Sequence, residues 1–365
     1  MRVVMTLVVR NEVDVLDANL RVHRALGVDA FAVLDNGSSD GTAELLERWN
    51  AAGLAHVTTD PDADTDEVFL EWQTRLALRA AEELEADWVI NNDGDEFWVP
   101  LEGDLKGAFE AVPRAWSGLL APRLEFVPRP DGPDPFWERM TIRERGTRVL
   151  PKIAHRAGGD IRVGPGSHHV MSPTLGVGET AGKPSLRGLR EKPTQPPLIA
   201  PAPVFGVSIL HLPLRSFAQY RSRLDIGLRI AETRGGDQLA GRINDVIGDD
   251  DARARWDELV VDDEAARAGL SSGELVEDTR LRDLMRALEG GTDVTAVGRV
   301  SVGGVADAGA LRQEIEAAAL AGLTHNHAQA VAGRDASGRS LGNARPRLGG
   351  PGGSLGAPGK GPLEG

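Results

Sequence analysis

The stretch ADWVINNDGDEFW, residues 86–98, decides the fold. Trp88 to Asn91 is a short apolar run that predicts a buried strand, and it ends in Asn92–Asp93–Gly94–Asp95–Glu96. Such a junction puts the carboxylates of Asp93 and Asp95 at a strand's carboxyl end. Gly94 between them allows a tight turn and the close approach of a ligand. Carboxylate oxygens are hard ligands suited to Mg²⁺ or Mn²⁺, and a cation would relieve the repulsion between them. Taken alone, Asp-Gly is also an ordinary strand-to-turn junction. What precedes it changes that reading.

Towards the N-terminus, Val3 to Val9 is a continuous β-branched run of the kind found in parallel sheets. Residues 12–26 carry Val13, Leu16, Leu20 and Ala25 at helical spacing, and Gly27 is a C-cap. Ala30 to Leu34 predicts a second buried strand, followed by the turn formers Asp35 to Thr42. Ala43 to Asn50 predicts a helix with Asp40 or Thr42 as its cap. His56 to Thr59 predicts a third strand, and Phe69 to Leu84 a long amphipathic helix. The order β-α-β-α-β-α-β argues for an α/β fold with a mostly parallel central sheet flanked by helices. In such sheets ligands bind outside the carboxyl ends of the strands. The polar clusters Arg10–Asn11–Glu12, Asp35–Asp40, Asp60–Asp66 and Asp93–Glu96 all follow strand ends, so they should converge on one edge.

Beyond about residue 116 the pattern changes. Strand-like pieces at Gly118–Ala121, Glu125–Val127, Arg148–Ile153 and Ile161–Val163 alternate with Pro and Gly. Residues 172–203 hold Lys183, Arg187, Arg190 and Lys192 among Pro, Gly and Thr, and read as a mobile loop. Val207 to His211 predicts a strand, and residues 216–234 and 251–288 predict helices. Residues 332–365 are Gly/Pro/Arg-rich and are expected to be disordered. The expected organisation is a domain over 1–215, a helical region over 216–331 and the tail.

Composition narrows the function. Lys plus Arg number 41 against 55 Asp plus Glu, a net charge of -14, so nucleic acid is an unsuitable partner. The absence of cysteine excludes disulfides, thiolate zinc sites and cysteine nucleophiles. No run reaches the ~20 apolar residues of a membrane helix, and no signal peptide is read at the N-terminus. A cytoplasmic protein is expected, with peripheral membrane association left open.

These motifs together resemble the GT-A glycosyltransferases, close to family 2 and to relatives whose metal motif reads Asp-x-Asp-Glu-Phe. The matching pieces are the Thr6-to-Glu12 strand end, the Asp35-to-Thr42 turn and Asp93–Gly94–Asp95–Glu96–Phe97, spread over roughly the first 100 residues. The resemblance implies a GT-A-like fold that binds a nucleotide-diphosphate sugar with a divalent metal, Mn²⁺ or Mg²⁺. It implies transfer to a hydroxyl acceptor (saccharide, lipid or protein), with inversion.

By the same resemblance, Thr6, Arg10, Asn11, Glu12, Asp35 and Ser38 would serve the nucleoside, with Asp35 near the base. Asp93 and Asp95 would flank metal and ribose, and Asp95 is the expected direct ligand. Glu96 would stand behind the metal or touch the sugar. His211 is the first candidate for a further metal ligand, with His168 and His169 competing, and Arg215 would face a phosphate. Phe97 and Trp98 are expected in the core. Lys152 and Arg156 could face a phosphate, but a solvated basic pair is the expected reading. Glu125, Asp131 and Asp134 lie where an acceptor-side base is needed, but the family's Glu-Asp pair is not evident. That gap supports a non-catalytic nucleotide-sugar-binding scaffold as an alternative, and a separate alternative is another Mg²⁺-dependent nucleotidyl or phosphoryl transferase. The latter would normally carry a basic Gly-rich loop where Arg10–Asn11–Glu12 stands.

Overall fold

The computed structural model describes residues 1–61, 66–146, 151–172, 174, 201–202, 206–233, 249–292, 311–314 and 317. The first four strands are β1 (Val3–Val9), β2 (Ala30–Asp35), β3 (Ala55–Thr59) and β4 (Trp88–Asn92). The helices between them are α1 (Val13–Ala25), α2 (Thr42–Ala51) and α3 (Asp66–Glu82). The strands pair in parallel in the order β4-β1-β2-β3.

The continuous apolar run of β1 has a simple cause. Val3, Met5, Leu7 and Val9 face one hydrophobic cluster, while Val4 faces another that includes Leu76, Ala77, Ala80 and Leu84 around α3. A strand covered on both faces has no polar side to alternate with.

Further along the chain come β5 (Glu96–Pro100), α4 (Leu105–Glu110), β6 (Gly118–Ala121), β7 (Arg123–Glu125), α5 (Phe136–Arg139) and β8 (Ile142–Glu144). They are followed by β9 (Lys152–Arg156), β10 (Arg162–Val163), β11 (Val170–Met171), β12 (Pro201–Ala202) and β13 (Val207–His211). Strands β9, β6 and β12 extend the central sheet beyond β4 to seven strands, with β9 antiparallel to both of its neighbours. Strands β5, β13 and β7 form a second sheet. The α/β class with a mostly parallel sheet is as expected.

The remaining elements are α6 (Phe217–Thr233), α7 (Asp249–Leu259), α8 (Asp263–Ser272), β14 (Leu275–Glu277) and α9 (Arg280–Glu289). The helix expected over 251–288 is therefore broken into pieces. Asp262 caps α8 by accepting from the Glu264 and Ala265 N–H groups, and Gly273 ends it in the left-handed conformation at φ 78°. The chain then turns into β14, which pairs antiparallel with β8.

Other expected boundaries shift by a few residues. Strand β7 begins at Arg123 and β9 at Lys152, and the cap of α2 is Gly41 at φ 103° rather than Asp40 or Thr42. Most of the expected mobile loop and all of the expected tail lie outside the described residues.

The C-terminal elements share the main core. Leu281, Leu284, Met285 and Leu311 belong to the same cluster as Val3, Trp88 and Phe97. A buried charged group reinforces the join. Asp278 accepts from Arg143 Nε (2.9 Å) and from Arg280 Nη2 (2.7 Å), and Arg280 Nη1 reaches Ser208 Oγ on β13 (3.1 Å).

Candidate active site

The Asp93–Gly94–Asp95 turn joins the central sheet at β4 to the second sheet at β5. Its backbone is held from beneath by side chains of α1 and β4. Asn19 Nδ2 donates to the Gly94 and Glu96 carbonyls at 3.0 and 2.8 Å. Asn92 Nδ2 donates to the Glu96 carbonyl at 2.9 Å, and its oxygen accepts from Trp98 Nε1 at 2.9 Å.

His23 completes this scaffold. Its Nε2 accepts the Trp98 N–H at 2.8 Å, so Nδ1 carries the proton and donates to Asn19. Burial pushes its pKa down to about 3, against a weaker opposing hydrogen bond to the Asn19 carbonyl, so the ring stays neutral. Phe97 and Trp98 are buried as expected. From the other side, the Leu212 N–H donates to the Asp95 carbonyl at 3.0 Å. The turn is preorganised by bonds from several elements.

Around it lies a dense set of charges. Lys152 on β9 is buried between Asp93 (2.6 Å) and Glu96 (2.8 Å). Burial disfavours its charge, but the two carboxylates outweigh this and raise its pKa. The expected solvated pair of Lys152 and Arg156 is thus corrected. Lys152 faces inward because its β9 position points between the two acids. Arg156 lies over the Trp88 ring at 4.8 Å and donates to the Trp116 carbonyl. Glu96 is fully buried and also receives Arg123 at 3.1 Å.

His211, at the end of β13, bridges two acids. Its Nδ1 is 2.8 Å from Glu125, and its Nε2 is 3.7 Å from Asp95 Oδ1. Burial opposes its charge, but Asp95 and Glu125 raise its pKa overall. Asp95 is itself buried. Burial opposes its ionisation, yet Arg223, His211, Arg215 and Lys152 together hold its carboxyl below the usual range.

Arg215 is clamped by Asp14 at 2.7 and 3.0 Å and stands 3.9 Å from Asp95. Arg223 on α6 pairs directly with Asp95 Oδ2. His168 hydrogen-bonds the Pro151 carbonyl, and burial pushes its pKa down to about 4. His169 packs over Gly164. Of the three candidate histidines, His211 is the one paired with Asp95. Of the acceptor-side acids, Glu125 reaches this cluster, whereas Asp131 accepts from the Phe217 N–H at the start of α6.

The strand ends converge as the alternation predicts. Asn11 N–H donates to Ser38 Oγ (3.0 Å), and Ser39 N–H donates to Asn11 Oδ1 (2.8 Å). Glu12 N–H donates to Thr42 Oγ1 (2.9 Å), and Asp60 N–H to the Asp35 carbonyl (3.0 Å). Asp35 is buried, and its Oδ1 holds the Ser38 N–H at 3.1 Å.

The Glu12 side chain reaches Gly94. A Cβ at Gly94 would come within 2.9 Å of Glu12 Cδ and nearer still to Oε2, so a side chain there would have to push the Glu12 carboxyl aside. Glu12 Oε2 is buried without a hydrogen-bond partner. Arg10 ends at the same edge, in the bend just beyond β1. Thr6, like His168, His169 and Asp131, is not brought to this edge. It lies inside β1, where its hydroxyl bonds Asn91 Oδ1 at 3.0 Å.

No family profile and no curated protein matches the chain. Among solved structures, that of S. aureus TarS is similar over 43% of this chain and 28% of its own, at 16% identity and TM-score 0.27. The structure of S. aureus TarS 1-349 is similar over 43% of this chain and 47% of its own, at 14% identity and TM-score 0.29. Its complex with UDP-GlcNAc is similar over 43% and 46%, at 16% identity and TM-score 0.29. The chain spans less than half the length of these structures. Likeness at this level leaves function to the geometry of the site.

That geometry includes residues outside the expected set: Asp14, Asn19, His23, Asn92 and Arg223. Asn19 and His23 sit four apart on the buried face of α1, and two polar groups on an otherwise apolar stripe are the signal that marks them. Arg223 has no such mark, since it is one of several basic residues on α6.

Proposed function

We propose that this protein is a glycosyltransferase that moves a sugar from a nucleotide-diphosphate donor to a hydroxyl acceptor, with a divalent metal and inversion at the anomeric carbon. The observation that carries this reading is the His211 bridge between Asp95 and Glu125, set in a turn that several elements hold rigid.

The donor chemistry at the turn fits a hard cation. Glu125 on Nδ1 fixes the His211 tautomer and leaves Nε2 facing Asp95, as carboxylate-backed metal ligands require. Among the described residues, no three His, Asp or Glu groups converge to cage a metal. A Mg²⁺- or Mn²⁺-type ion needs no such cage, because substrate phosphates complete its coordination. Asp95 and His211 would hold it, with Asp93 alongside. The bound cation would act as a Lewis acid on the leaving diphosphate.

The chain's own residues do the rest. Arg215, fixed by Asp14, supplies constant positive charge beside Asp95, and Lys152 locks Asp93 and Glu96 in place. In this reading Glu96 orients the site rather than touching the sugar. Asp35, Asn11 and Ser38 form the nucleoside side, where the Ser38 N–H holds one Asp35 oxygen and leaves the other to a base N–H. The acceptor would enter from the Glu125 side.

Calorimetric titration of UDP and GDP with and without Mn²⁺, on the parent and on Asp95→Asn, tests this. Asn keeps the shape and removes the charge. Nucleotide binding that needs Mn²⁺ and falls at least about tenfold in the variant is expected, the loss of one charge-assisted contact. Equal binding by parent and variant removes Asp95 from the site. Binding with no turnover of any nucleotide sugar would favour the scaffold reading.

A further inference from the structure

The basic groups around the carboxylates are not equivalent. Lys152 is 0% exposed and held by two acids, and Arg215 is 1% exposed and held by Asp14 and the Leu212 carbonyl. Neither can leave without stranding a buried charge, which is costly. Arg223 differs: its side chain is 38% exposed while its partner Asp95 is 3% exposed. It reaches in from solvent on α6, downstream of the His211-to-Arg215 segment, and takes the Asp95 oxygen opposite the one that faces His211. Moving this guanidinium out to water costs less than moving Lys152 or Arg215, because part of it is already hydrated.

Among the described residues, Asp95 loses its one direct ion pair when Arg223 leaves. It is buried, and its other basic neighbours stand farther off (His211 at 3.7 Å, Arg215 at 3.9 Å), so a cation taking the place of Arg223 restores the direct pairing.

We propose that Arg223 is an exchangeable counter-charge. It neutralises Asp95 in the free chain, yields that carboxylate to a divalent cation, and then pairs with the diphosphate of the bound nucleotide. A guanidinium at the lip of the site has the fork geometry that phosphate oxygens accept two at a time. Arg215 would be the fixed cation and Arg223 the one that changes partners. This deepens the glycosyltransferase reading and rests on it for the nucleotide step. The competition for Asp95 stands on the ion pair itself.

The test separates the two steps. Free Mn²⁺ is followed by electron paramagnetic resonance without nucleotide, for the parent, Arg223→Gln and Arg223→Lys. UDP affinity is then measured for each at saturating Mn²⁺. Removing the competitor should tighten Mn²⁺ binding by about tenfold in Arg223→Gln, and removing the phosphate partner should weaken UDP binding by about tenfold. Arg223→Lys should lie between parent and Gln in both.

Changes of opposite sign are the signature, because a merely structural loss would weaken both. Unchanged or weaker Mn²⁺ binding in Arg223→Gln, or unchanged UDP affinity, overturns the proposal. A parent that binds Mn²⁺ and UDP together while Arg223→Gln behaves identically leaves the glycosyltransferase reading intact and removes only this role. A parent that binds neither, with an equally silent variant, removes both.

Discussion

Glu12 ends against Gly94, where its Oε2 is buried without a partner. Burial is the main cause of its raised pKa, and Asp95 adds to it. Arg215 and Arg223 oppose, and the result is about 8 against an ordinary 4.5. The folded chain therefore holds this proton more tightly than the unfolded chain does. The stability it contributes is full below the ordinary value and is lost as pH rises towards 8. Glu12→Gln keeps the shape and cannot ionise. Its melting temperature should gain on the parent's steadily from about pH 5 to about pH 9. A difference that stays constant over that range would show that Glu12 is ionised throughout. At this scale the sequence marks Asp93, Asp95 and His211 by their place at strand ends. It cannot show that Lys152 turns inward, because burial of a lysine depends on where two acids from another strand lie.

At the scale of elements, β8, β13, β14 and α9 meet around one buried carboxylate. Asp278 holds Arg143 and Arg280 out of contact with water, and burial of its carboxyl is outweighed by those two guanidiniums, which keep its pKa low. Asp278→Ala would leave Arg280 without its carboxylate in the interior and Arg143 with Glu314 alone (2.8 Å), at a cost of about 3–5 kcal/mol. Chemical denaturation at neutral pH reads this directly, and a loss below about 1 kcal/mol would mean that water reaches the pair. The element reading from sequence is sound over the first 92 residues, where β-branched runs and helical periods alternate cleanly. It weakens over 251–288. There Asp262 and Gly273 punctuate the chain, and a three-residue strand is too short to carry a period.

At the scale of the molecule, the C-terminal elements are part of the main core. Leu281, Leu284 and Met285 belong to one hydrophobic cluster with residues of β1, β4 and β5, and α9 packs against α1 and α5. A chain ending at residue 274 should therefore lose cooperative unfolding and expose apolar surface. This would be read as a broadened thermal transition and dye binding relative to the full chain. A sharp transition at the parent's temperature would show that residues 1–274 are self-sufficient. Among the described residues no helix is long and apolar enough to cross a membrane, so this core is built without one. The sequence by itself determined the α/β class, the order of the first elements and the edge on which the polar clusters meet. Those follow from local period and from the rule that parallel strands open at their carboxyl ends. Only the tertiary structure decided which charges pair. Asp14 with Arg215, Asp95 with Arg223, and Asp93 with Lys152 are joined across gaps of 201, 128 and 59 residues. Pairing at such separations is set by packing in three dimensions, and no spacing along the chain encodes it.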